Sequence, residues 1–162
     1  MTAPSPKTSS TATAAWASFA PLTGALFVVG IAWGSFAAGV PEVVLCGILA
    51  GVVATLTAQW LRVDAASLRA GLYGYNAVLV GLALATFIAP GPLLWSYVVL
   101  GAAVSVVTML GTANVVKPWG VSALTFPFVL TAWLLLLATY GFAGLAGTAL
   151  PAAAVVTPFE SV

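Results

Sequence analysis

The chain has 162 residues, 62% of them hydrophobic and 4% charged: four Lys or Arg, three Asp or Glu, and no His. A soluble domain carries roughly 25% charged residues, so the solvent that suits this composition is lipid. Without His, Ser-His-Asp and Cys-His catalysis and His-ligated metal sites are excluded. The net charge is +1 with no basic run, which gives nucleic acid no electrostatic footing.

The remaining chemistry is sparse. The acids Glu42, Asp64 and Glu160 are far apart and sit near the ends of apolar runs, so they form no general acid-base pair. No glycine loop with a lysine is present to cradle phosphate. Cys46 is the single cysteine and lies in an apolar stretch; it reads as a small buried hydrophobe. The composition therefore points away from an enzyme and calls for no cofactor.

Residues 1–15, "MTAPSPKTSSTATAA", are polar, small and proline-containing, and read as a disordered tail. The apolar run that follows is too long for a cleaved signal segment and is succeeded by others. Apolar runs cover 16–40, 43–61, 72–89, 93–113 and 121–144. A span needs about 20 residues at about 1.5 Å rise. Four runs meet this; the third, interrupted by Gly74 and Asn76, reads as a broken or re-entrant element. Pro41, "RVDAASLRAG", "APGP" and "NVVKPWG" separate the runs. Trp16, Trp60, Trp95 and Trp119 fall near run ends, at the depth where indoles settle. Residues 145–162 read as a C-terminal tail or linker.

If all five runs cross, Lys7, Arg62, Arg69 and Lys117 share one side, which places the N-terminus in the cytoplasm. If the third run turns back, Lys117 changes side. Gly47 and Gly51 form a small-xxx-small pair suited to close helix packing. Serines and threonines inside the runs can bond back to their own helix.

Two stretches ask for more. In "LYGYNAVLVG", Leu72 to Gly81, Asn76 brings an amide that costs several kcal/mol (order of magnitude) if unpaired in hydrocarbon. It must face protein or a wet cavity. Gly71 and Gly74 permit an irregular backbone before it, and Asn76 reads as the cap of a helix starting at Ala77. Tyr75 and Leu79 are four apart and share a helix face. In "ALTFPFVLTAW", Ala123 to Trp133, Pro127 removes a donor and is expected to free a carbonyl near Ala123. Thr125 offers a hydroxyl there, either to that backbone or to a channel walled by Phe126 and Phe128.

These stretches carry a resemblance. "GLYGYNAVLVGLAL" resembles the G-L-x-G-[FY]-N-x-x-L-x-G pattern of the urea transporter family. "ALTFPFVLTAWLLL" is similar to that family's L-T-x-P-F-x-x-x-x-W, and "FAPLTGALFVVGIAWGS" to the N-P-L-T-G-L stretch opening its first span. The three occur in family order and cover about residues 16–150.

The resemblance implies passive, channel-type carriage of urea across a membrane. Family members have two inverted homologous halves of about this length, a pore between them in each protomer, and trimeric assembly. It implies that Tyr75 and Leu79 are walls of a narrow slot, with Leu72 a further wall residue, and that the Thr125 hydroxyl meets the solute. The slot suits a flat molecule. In-plane N–H groups need acceptors at the slot's edge, which carbonyls supply, and no charge is required. The chain has no charge from Ala70 to Val116, which argues against ion coupling through this part.

Two departures stand out. The stretch "TATAAWASFAP" lacks the family's mouth Glu or Gln, and Ala20 replaces the Asn before Pro21. Each motif also occurs once, so the chain is one repeat where the family has two. It is then a fragment, a half that pairs antiparallel with itself, or a half that pairs with a separate chain.

The expected fold is thus an all-α polytopic membrane protein, one urea-transporter-like repeat of about five transmembrane helices with a broken or re-entrant pore element. The domain of 16–144 would sit in the bacterial inner or plasma membrane. Leu72, Tyr75, Asn76, Leu79, Thr125, Phe126 and Phe128 are the expected substrate-binding residues. The expected partners are urea or a similar small neutral solute, the bilayer, and a second copy or partner half. The rival readings are a channel for ammonia or water and a membrane subunit that does not transport.

Overall fold

The computed structural model describes residues 8–139, with side chains from 22 onward. Six α-helices follow in order: α1 Thr8–Ala37, α2 Glu42–Trp60, α3 Ala65–Arg69, α4 Leu72–Phe87, α5 Pro92–Val116 and α6 Phe126–Thr139, with a 3-10 turn at Lys117–Trp119. The chain divides into two compact units, residues 1–44 and 45–162.

The first unit holds α1. This helix begins at Thr8, inside the stretch expected to be a disordered tail. Ala12, Ala14 and Ala15 are strong helix formers and carry the helix back past Trp16. The rest of that stretch, and the 145–162 tail, lie outside the described residues.

The second unit is a bundle. Among the described residues, two helical segments are long and apolar enough to cross a membrane, Glu42–Trp60 and Pro92–Trp119. The helices α4 and α6 are shorter, 16 and 14 residues, or about 24 and 21 Å at about 1.5 Å per residue. Helices α4, α5 and α6 pack against one another in all three pairings.

On α2, Cys46, Ala50, Ala54 and Ala58 recur every four residues and are all fully buried. This strip of small side chains lets α4 approach at backbone distance. A Cβ placed on Gly81 of α4 would stand 2.5 Å from the Cys46 carbonyl oxygen and 2.8 Å from the Ala50 Cβ. Gly47 and Gly51 meet Leu82 and Val78 of α4 in the same way, at 2.9 and 2.8 Å. The small-xxx-small pair therefore does serve close packing. Without a hydrophobic drive between helices in lipid, such van der Waals contact is what holds them together.

On the other side of α4, Val80 and Leu84 face Gly101 of α5, where Leu135 of α6 also arrives. Tyr97 of α5 donates its hydroxyl to the Leu135 carbonyl at 2.5 Å. Near the opposite end, Asn76 of α4 lies 4.0 Å from the Met109 sulfur of α5. Tyr97 of α5 thus meets α6 at Leu135, while Met109 and the Leu124 carbonyl are both contacted by Asn76 of α4.

The expected interruption of the third run falls elsewhere. Helix α4 is continuous from Leu72 through Gly74 and Asn76. The break comes at Gly71, the residue before α4, whose φ of 72° is left-handed and costs glycine little. Its carbonyl accepts the Tyr75 N–H at 2.9 Å and opens the helix. The fifth run is not helical from 121: residues 121–125 form a non-helical lead-in and turn, and α6 starts at Phe126.

Candidate functional site

Asn76 is not a cap. It is the fifth residue of α4 and is fully buried. Its Nδ2 donates to the Leu72 carbonyl one turn back, at 3.0 Å, and to the Leu124 carbonyl, 48 residues on, at 3.1 Å. The amide reaches across because the helix already supplies every backbone partner in the middle of α4. One of its side-chain donors bonds back to Leu72 within the helix, and the other is left for a carbonyl that no helix uses.

Leu124 is such a residue. It sits just before α6 with φ 44°, one of two non-glycine residues at positive φ among those described; the other is Arg62. A side-chain-bearing residue in that region costs roughly 1–3 kcal/mol and persists only where surrounding contacts hold it. The Leu124 side chain is 66% exposed, so packing does not hold it.

Pro127 does not kink a helix. It is the second residue of α6 and buried, a position where the missing N–H has no intrahelical partner to lose. The Ala123 carbonyl is not freed either, since it accepts the Phe126 N–H at 3.1 Å. The Thr125 carbonyl accepts the Val129 N–H at 3.2 Å. Thr125 itself is exposed, and its hydroxyl bonds to none of the described residues.

The remaining expected site residues divide by burial. Tyr75 and Phe126 are 48% and 53% exposed. Leu72, Leu79 and Phe128 are half-buried, with Leu72 and Phe128 packed on the core. The Asn76–Leu124 bond brings the start of α4 and the start of α6 together, and Tyr75 and Thr125 are the chain neighbours of its two partners. Leu79 lies one turn beyond Tyr75 on the same helix face. No charged side chain lies between Ala70 and Val116 or between Trp119 and Thr139.

Three buried side-chain oxygens have no partner among the described residues: Asn76 Oδ1, Ser105 Oγ and Thr131 Oγ1. Thr55, Thr57, Thr86 and Thr108 bond back to the carbonyl four residues earlier, at 2.7–2.9 Å, as helix threonines do. Ser105 and Thr131 do not. Sequence reasoning passed over both, and over Leu124 and Met109, because nothing in residue type separates a back-bonded hydroxyl from an unbonded one. A left-handed leucine has no compositional mark.

A lipid-suited helical bundle with an uncharged polar contact between the starts of two of its helices defines a helical membrane protein. The urea transporter family model matches residues 19–160. The chain is 35% identical to urea transporter 1 of Mus musculus over 111 residues, 67% of this chain and 28% of that protein. It is 34% identical to urea transporter 1 of Rattus norvegicus over 122 residues, 74% of this chain and 30% of that protein. It is 32% identical to urea transporter 1 of Ovis aries over 125 residues, 75% and 31%. The chain belongs to the urea transporter family. It spans less than a third of the length of these relatives.

Proposed function

We propose that this chain forms one wall of a passive, channel-type path for urea, completed by a second repeat, either another copy of the chain or a partner half. The observation that carries the reading is the Asn76–Leu124 contact. It brings the two family motifs together at the starts of α4 and α6, beside the exposed residues Tyr75, Thr125 and Phe126 and with no charged residue in either motif. Urea is flat and neutral. An aromatic and aliphatic wall from Tyr75, Leu79, Leu72, Phe126 and Phe128 accepts its faces, and the Thr125 hydroxyl meets its edge. Passage needs binding weak enough to release, which a single hydroxyl and stacked faces provide. The exposed side of Tyr75 and Phe126 in the lone chain supports the need for a second wall.

The chain sits in a cell membrane, with α2 and α5 as full spans. The 16–144 segment acts as one transmembrane domain. The short helices α4 and α6 meet where the path narrows.

The test is urea flux from liposomes carrying the purified protein. The reading expects saturable flux, abolished by Thr125→Trp in a variant that folds normally. Well-folded protein that passes no urea, alone or with a second half, overturns it.

A further inference from the structure

Leu124 carries a backbone conformation its side chain opposes, and its exposed side chain makes little contact that could compensate. What does hold it is one hydrogen bond from a fully buried amide. That amide is itself fixed from two other directions, by the Leu72 carbonyl and by contact with Met109. Its two N–H groups are aimed at two carbonyls, one on each motif.

We infer that Asn76 is a positioning residue: its amide latches the Leu124 carbonyl and so holds the 121–125 turn in its strained shape, which sets where Thr125 and the first turn of α6 lie. The latch is long-range, and the residue it controls is the neighbour of the one that meets solute. An apolar side chain at 76 would fill the same space but leave the Leu124 carbonyl without this donor. The turn would then relax towards negative φ, and Thr125 would swing with it. A glycine at 124 takes positive φ without opposition, so it removes the strain against which the latch works. The consequence for solute passage rests on the urea reading above; the consequence for the turn does not.

The experiment follows amide exchange at Phe126 and Val129, whose N–H groups bond to Ala123 and Thr125, by NMR of the protein in nanodiscs. Asn76→Leu, which keeps volume and removes both donors, should speed exchange at these two amides by tenfold or more while amides in α2 stay unchanged. The same substitution on a Leu124→Gly background should have a clearly smaller effect. Asn76→Gln should restore part of the protection. Equal exchange in Asn76→Leu and the native protein overturns the inference. If Asn76→Leu fails to fold, Leu124→Gly alone decides: protection at Phe126 kept or raised supports strain at 124, and protection lost overturns it. In parallel, urea flux should lose its preference over methylurea in Asn76→Leu and regain it on the Leu124→Gly background. If the native protein passes no urea yet the exchange pattern holds, the functional reading fails and the latch stands.

Discussion

The Nδ2 of Asn76 stands 3.1 Å from the carbonyl of Leu124, 48 residues on, joining α4 to the turn that leads into α6. Each partner is odd by itself. Asn76 is an amide in a helix of apolar residues, and Leu124 is a leucine in a glycine-like conformation. Together they are consistent, since the buried donor needs an acceptor and the strained carbonyl needs a restraint.

The close approach of α2 and α4 makes a first prediction. Gly81→Ala would drive a methyl group into the Cys46 backbone at 2.5 Å, where no side chain can rotate away. It should cost about 1–3 kcal/mol, the usual range for overpacking. Gly47→Ala and Gly51→Ala meet only the ends of Leu82 and Val78 and should cost less. Unfolding in mixed micelles ranks the three; equal losses would contradict the packing described.

Unpaired hydroxyls make a second. Thr131→Val and Ser105→Ala delete oxygens that have no partner among the described residues. Leaving such a group buried costs roughly 1–3 kcal/mol, so both variants should be neutral or more stable. Tyr97→Phe, which breaks the bond to the Leu135 carbonyl, should lose about 1 kcal/mol. The same unfolding assay reads all three, and a marked loss in Thr131→Val would show a partner for that hydroxyl.

Acid should loosen α3. The Asp64 carboxylate caps this helix by accepting the Ser67 N–H at 2.8 Å. That bond, with help from Arg69, holds its pKa below the ordinary aspartate value. Because the folded pKa is the lower one, the cap is fully present above the unfolded value of about 3.9. It is lost as pH falls through the folded pKa. The Ser67 amide proton shift, followed by NMR, should stay constant down to about pH 4 and move only in the more acid range. A midpoint above the ordinary value would contradict the cap.

Much of this architecture was legible beforehand. The runs at 43–61 and 93–113 became α2 and α5 within a few residues, because long apolar stretches leave lipid as the one suitable surrounding. Gly71 was read as a loosened backbone and is one, with φ 72°. Gly74 reads the same way but lies inside α4, since a glycine inside a helix looks the same in sequence as one outside it. The segment "RVDAASLRAG" read as a plain separator yet holds α3, whose five residues are too few for a periodic signal. The lead-in at 121–125 was hidden in an apolar run, because hydropathy reports solvent preference and says nothing of backbone shape. Asn76 stood out by residue type, but its acceptor could not be found that way: a carbonyl made available by a left-handed leucine belongs to conformation alone.

The central claim is that an uncharged wall of Tyr75, Leu79 and Thr125 serves a flat solute. The most direct measurement compares urea with glycerol, a neutral solute that is not planar, in stopped-flow assays on liposomes carrying the native protein. The account predicts rapid urea entry, slow glycerol entry close to that of protein-free vesicles, and loss of the urea component in Thr125→Trp. Equal entry of both solutes, or urea entry unchanged by Thr125→Trp, would contradict it.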